Sequence, residues 1–152
     1  MSTLATQAIT CTWQRNLQFE AMDADGHRVT MDVPEASGGD GAGFSPMPMI
    51  LVGLGGCMGV DVKIVLNKMK IDLDSFELAI TGELDENTSP RIYKKITIDF
   101  VFSGRNLQLE KLEKAIRLAE EKYCNVSAIL SQTTQLEYRA IIDQGPSTSK
   151  NP

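Results

Sequence analysis

The sequence predicts an α+β fold, and three observations predict it. Short alternating runs open the chain, one long apolar pattern at helical spacing follows from Pro46, and two long alternating runs, an amphipathic helix and a last alternating run complete it. Strands are thus grouped with strands rather than interleaved singly with helices, which favours α+β over βαβ repetition. At 152 residues the chain has the size of one ordinary domain. We therefore expect a single domain over 1–143 and a disordered, turn-rich tail over 144–152, within "DQGPSTSKNP".

Residues 8–34 contain "AITCTWQR", "LQFEAM" and "HRVTMDV", the last two separated by "DADG", whose Asp25-Gly26 pair is a hairpin signal. The expectation is an antiparallel meander, with Cys11 packed beside Ile9 and Trp13 and with His27 facing solvent. "PEASGGDGAGFSP" then lacks periodicity and is rich in glycine, so it reads as a mobile connection able to close over a site.

From Pro46 the spacing turns helical. Ile50, Leu54, Cys57, Val60 or Asp61, and Ile64 fall near one face, with Leu51, Met58, Val65 and Met69 beside it. Ser45 fits the N-cap and Pro46 the first helical position. Apolar groups on more than one side mark a central, buried helix. Each of Gly53, Gly55, Gly56 and Gly59 costs roughly 0.5–1 kcal/mol relative to alanine there. Either another backbone approaches closely, or the helix kinks and exposes amides beside Cys57. A phosphate-cradling turn is excluded by spacing: Gly53 and Gly55 fit G-x-G-x-x-G, but Met58 stands at its third glycine, and Pro46 and Pro48 lie where its strand would begin.

"DLDSFELAITGEL" and "RIYKKITIDFVFSG", joined by "DENTSP", alternate as a half-buried hairpin with Phe76, Leu78, Ile80, Ile96, Ile98, Phe100 and Phe102 inward. Leu109, Leu112, Ile116, Ala119 and Tyr123 then recur at helical spacing, with Cys124 at the end. "NVSAIL" suits a short helix capped by Asn125 or Ser127, and "TTQLEYRAII" a closing strand.

Composition narrows the function. A hydrophobic fraction of 42% and a charged fraction of 23% are ordinary for a globular chain. Fifteen basic against twenty acidic residues, a net charge of −5, argue against nucleic acid as a partner. The N-terminus lacks a basic region followed by an apolar one, which points to the cytoplasm. The apolar stretch around Met47–Val60 is shorter than the ~20 residues of a membrane span and belongs in a core. Three cysteines without a C-x-x-C pair, and a single histidine, offer no usual structural zinc set, so neither a metal nor a cofactor is expected.

Cys57 has the most unusual surroundings. If the glycines break the helix, it starts a new segment where free amides favour a thiolate; otherwise it packs as a small hydrophobe among Leu54, Met58 and Val60. Cys124 follows Glu120 and Glu121, whose charges would raise its pKa, so it reads as a poor nucleophile and a candidate resolving thiol, with a buried structural cysteine as the alternative. Asp61, four residues after Cys57, is expected to cap or to pair with a lysine such as Lys63 or Lys94; as an acid on the cysteine's own face it would oppose a thiolate, so its role reads as structural. The methionines of the central helix are expected to fill core space or leave an adaptable apolar pocket near Cys57.

Taken together, "SPMPMILVGLGGCMGVDVKIVLNK", "SPRIYKKITIDFVFSGRNL" and "AEEKYCNVSAIL" resemble the OsmC/Ohr family, the osmotically induced and organic-hydroperoxide-resistance proteins, over about residues 8–142 and closest to its OsmC-like branch. The resemblance implies an antiparallel sheet packed around a long central helix in an intertwined homodimer, with sites near the subunit boundary. It also implies a peroxidatic cysteine at Cys57 that attacks an organic hydroperoxide, a resolving cysteine at Cys124, and an external dithiol as reductant. The family arginine is matched by Arg15. Its glutamate is absent, because Met47 stands there and Pro48 follows. The resemblance thus implies either a differently tuned peroxidase or a member that binds a small apolar ligand at the dimer interface.

Overall fold

The computed structural model describes residues 3–144, so most of the expected tail lies outside the described residues. The chain divides into two compact units between Ile50 and Leu51.

In the first unit, β1 (Ile9–Arg15), β2 (Gln18–Asp23) and β3 (Arg28–Met31) form the expected antiparallel meander in the order β1-β2-β3. The second turn forms where the Asp25-Gly26 pair predicts it: Asp23 Oδ1 accepts the amides of Asp25 and His27, and Gly26 takes a φ of 88°. His27 is exposed, as expected, and its ring meets Asp23 at 2.8 Å. Cys11 departs from expectation. All of β1 is exposed in the single chain, and Cys11 with it, because no layer of this unit covers the strand.

The glycine-rich segment is not a free connection. Asp32 is buried, and its carboxylate accepts the amides of Val33, Asp40 and Ala42 at 2.7, 3.2 and 3.0 Å. The Ala42 amide foremost, then those of Val33 and Asp40 and the charge of Arg15, hold this carboxyl below the usual range against the opposing effect of burial. A Cβ at position 39 would lie 2.1 Å from the Val33 carbonyl oxygen, so only glycine allows the loop to close this tightly. Backbone donors thus replace the periodicity that the segment lacks.

The helix α1 spans Pro46–Lys68 without interruption. Its first bond runs from the Met49 amide to the Ser45 carbonyl, in keeping with Ser45 as the residue before the helix. The kink that the glycines allowed does not occur. Nor does another backbone approach: at Gly55 the neighbour is a side chain, and a Cβ would stand 2.7 Å from Ile80 Cδ1. The buried row is Leu54, Met58, Val62, Val65 and Leu66, whereas Ile50, Val60 and Ile64 of the expected face are exposed. At 23 residues α1 is longer than the apolar stretch suggested, and by length and composition it could cross a membrane; Leu54, Met58, Val62 and Leu66 on it are fully buried.

In the second unit, β4 (Ser75–Leu84) pairs antiparallel with β5 (Tyr93–Ser103), Ile80 opposite Ile98. Ile96, Ile98, Phe100 and Phe102 are fully buried, and Phe76 stacks on Phe102 with ring centres 4.8 Å apart. After α2 (Leu109–Leu118), a π-helical turn (Ala119–Tyr123) and α3 (Asn125–Leu130), β6 (Gln135–Ile142) joins β5 in parallel, Ile98 opposite Tyr138. The α+β class holds, in two three-stranded sheets rather than one, and the last pair is parallel rather than antiparallel. The helical crossover between β5 and β6 is long enough to return the chain to the same end of the sheet, which a parallel pair requires.

Candidate dithiol site

Two parts of the second unit carry the sulfurs. Cys57 sits in the middle of α1, half-buried, one residue before the fully buried Met58. Cys124 ends the π-helical turn and is itself the N-cap of α3, its Sγ accepting the Ser127 amide at 3.3 Å while Ser127 Oγ donates to the Cys124 carbonyl at 3.1 Å. The cap expected at Asn125 or Ser127 is therefore Cys124. A sulfur accepts the orphan amide that a hydroxyl or carboxylate would ordinarily take.

The two thiols meet. Cys124 Sγ lies 3.0 Å from Cys57 Sγ across 67 positions of sequence. A disulfide needs about 2.05 Å between sulfurs, so closing the bond asks for a movement of about 1 Å. Burial foremost, then the neighbouring Cys57 thiol, push the Cys124 thiol above its ordinary range, and the bonds from Ser127 partly offset this. The glutamates expected to raise it are not among the causes.

Asp61, one helical turn after Cys57, faces the same place: its Oδ2 is 3.9 Å from Cys57 Sγ. The expected lysine partners are elsewhere, Lys63 bonding to Asn67, and among the described residues Asp61 forms no ion pair. Spacing i, i+4 puts both side chains on one helix face, the signal in the sequence that identifies Asp61 as part of the site. Tyr138 was not singled out by sequence reasoning. Its hydroxyl is buried near Ser127, and burial first, then the charges of Glu120 and Cys124, raise its pKa against the opposing effect of Ser127. Only the inward register of β6 marks it beforehand.

Arg15 lies in the first unit, at the exposed end of β1 opposite Gln18, where its charge acts on Asp32. Met47 occupies the first turn of α1. On the second unit an open, mainly apolar groove of about 550 Å³ runs along α1 and β4, lined by Gly59, Val60, Ile64, Phe76 and Leu78 among others.

Comparison with known proteins agrees with this architecture. The OsmC-like protein family model matches residues 38–139. Protein YhfA of Escherichia coli K12 is 34% identical over 126 residues, covering 83% of this chain and 90% of that protein. A crystal structure of a hypothetical protein from Aquifex aeolicus superposes with a TM-score of 0.80 at 27% identity, over 93% of this chain and 99% of that one. The organic hydroperoxide resistance protein OhrB of Bacillus subtilis shares the fold, with a TM-score of 0.62 at 21% identity over 91% and 99% of the two chains. On this family match and this degree of relatedness, the chain belongs to the OsmC-like protein family.

Proposed function

We propose that the chain is a thiol-dependent peroxidase that reduces organic hydroperoxides, with Cys57 as nucleophile and Cys124 as resolving thiol. The observation that carries this reading is the 3.0 Å separation of the two sulfurs. The Cys57 thiolate attacks the distal peroxide oxygen, the O–O bond breaks, and the alkoxide leaves with a proton as the alcohol; Cys57 becomes a sulfenic acid. The Cys124 thiolate then attacks the Cys57 sulfur, and the hydroxyl departs as water with a second proton. An external dithiol returns the disulfide to two thiols by exchange.

Asp61 Oδ2 accepts the Cys57 thiol in a long contact of 3.9 Å, and as an acid on the cysteine's own face it opposes the thiolate, so its role in the peroxidase reading is structural. Arg15 is the proposed cation that orients the peroxide and favours the thiolate, with Met47 leaving it without the carboxylate that would hold it. The working form is a cytoplasmic homodimer acting in stress defence. A second reading, binding of a small apolar ligand at the dimer interface without catalysis, draws on the apolar groove along α1 and β4.

Brief treatment with cumene hydroperoxide followed by mass spectrometry separates the two. Wild type is expected to yield a Cys57–Cys124 crosslink, Cys57→Ser no turnover and no sulfenic acid, and Cys124→Ser about one equivalent of peroxide consumed with a trappable sulfenic acid at Cys57. Cys11→Ser is expected to behave as wild type. Oxidation of Cys11 with Cys57 unmodified would favour the binding reading.

A further inference from the structure

The reduced site offers more than two thiols. Cys57 Sγ, Cys124 Sγ and a carboxylate oxygen of Asp61 lie within 4.8 Å of one another, from one half-buried, one buried and one half-buried residue. We propose that these three side chains form a binding site for a thiophilic divalent cation, Zn²⁺ being the ion of this class that cells supply, which is held only while both cysteines are reduced.

The donor set decides the ion class. Two thiolates select a soft or borderline metal over Mg²⁺ or Ca²⁺, and one carboxylate completes three protein ligands with a fourth position left for water. Zn–S bonds of about 2.3 Å put the two sulfurs of a tetrahedral site roughly 3.8 Å apart, so the pair opens by less than 1 Å from its 3.0 Å separation. Asp61 must draw in by a few tenths toward Cys57 from its 3.9 Å contact, and it starts within 4.8 Å of the Cys124 sulfur. Ligands at i and i+4 of α1 share one face, as two zinc ligands do in H-E-x-x-H helices. Behind Cys124, the Ser127 amide already donates to the sulfur, the outer-shell contact that orients a ligand. Asp61 is uncommitted to any lysine among the described residues. In the other group of potential ligands, Asp25 and His27 are exposed, and the half-buried Asp23 is engaged by its own turn. That group lacks thiolates and is not a comparable site.

Binding replaces two thiol protons with one metal ion. The site then carries three ligand charges against two, in partly buried surroundings where water competes poorly. The redox consequence rests on the peroxidase reading of the same thiols. One organic hydroperoxide, two protons and the metal dithiolate give one disulfide, one alcohol, one water and one free M²⁺. The metal therefore protects the dithiol and delays its oxidation, and oxidation releases the metal.

The test uses the full-length chain carrying Cys11→Ser, to remove the exposed thiol, reduced and held without oxygen, with Cd²⁺ as spectroscopic probe and Zn²⁺ as competitor. The expected result is a thiolate-to-metal charge-transfer band that saturates at one ion per chain and is reversed by Zn²⁺. Cys57→Ser and Cys124→Ser should each abolish it, and Asp61→Asn should weaken binding by about tenfold or more. Circular dichroism establishes that each variant is folded. A folded, reduced protein without the band overturns the site, and affinity unchanged in Asp61→Asn overturns the three-ligand set. Metal binding without any peroxide consumption sustains the site while the peroxidase reading fails; peroxide consumption without metal binding does the reverse.

Discussion

Cys57 and Cys124 stand with their sulfurs 3.0 Å apart, one in the middle of a continuous helix and the other capping the start of a short one. Neither position is chemically distinctive alone. Together they form a dithiol that can close to a disulfide with a movement of about 1 Å.

The closing step should be slow at neutral pH and accelerate as pH rises. Burial, the largest cause of the raised Cys124 pKa and one that persists once Cys57 is a sulfenic acid, holds Cys124 protonated beyond its ordinary range, and only its thiolate attacks. Stopped-flow measurement of disulfide formation from the trapped sulfenic acid should therefore show a rate still climbing above about pH 8.5, where an unperturbed thiol would level off. The stability sign is the same for any acid whose folded pKa is raised: the contribution is present below the unfolded pKa and is lost as pH rises through the folded one. A closing rate that is flat above neutrality would assign the proton-limited step elsewhere.

Arg15→Ala should lower peroxide turnover by roughly ten- to a hundredfold while leaving the thermal midpoint close to wild type, since an exposed guanidinium at the end of β1 contributes little to packing. Met47→Glu should raise turnover only in the presence of Arg15. Steady-state kinetics of the two single variants and the double variant decide this, and turnover unchanged in Arg15→Ala removes the arginine from the mechanism.

The single chain leaves Trp13 62% and Phe44 55% exposed in the first unit, and Val60 59% exposed on α1. Apolar side chains this large and this open are expected to be covered by a second copy. Sedimentation at micromolar concentration should give twice the 16.7 kDa mass of the chain, and Trp13→Glu should shift the population toward monomer. A stable, fully active monomer would place the working site within one chain.

Glycine substitutions should split by what a new Cβ meets. At Gly82 it would lie 2.5 Å from a ring carbon of the buried Tyr93, so Gly82→Ala should cost about 1–3 kcal/mol in urea unfolding. At Gly53 nothing lies within 4 Å, and Gly53→Ala should stabilise by about 0.5–1 kcal/mol through helix propensity. Equal effects at the two positions would show that packing around β4 and β5 yields more readily than the buried ring suggests.

Periodicity made much of the fold legible. Alternation marks β4 and β5 and assigns Ile96, Ile98, Phe100 and Phe102 to the core, and the Asp25-Gly26 turn forms where the dipeptide predicts it. These are local properties, since each residue's neighbours in sequence are its neighbours in the element. The resemblance to the OsmC/Ohr family likewise rests on residues readable in order along the chain.

What the sequence by itself determined is therefore the kind and order of the elements, and that one cysteine lies on an apolar, glycine-rich helix with another at a helix end. Tertiary structure alone decided which stripe of α1 turns inward, that Gly55 accommodates Ile80 in an unbroken helix, that Asp32 pins the glycine-rich segment, and that β6 enters in parallel. It also decided that two sulfurs 67 positions apart meet. The physical reason is common to all of these. Helical or strand spacing sets where a side chain points relative to its own backbone, but what it meets there is supplied by another segment, and the approach of two segments depends on the packing of the whole core.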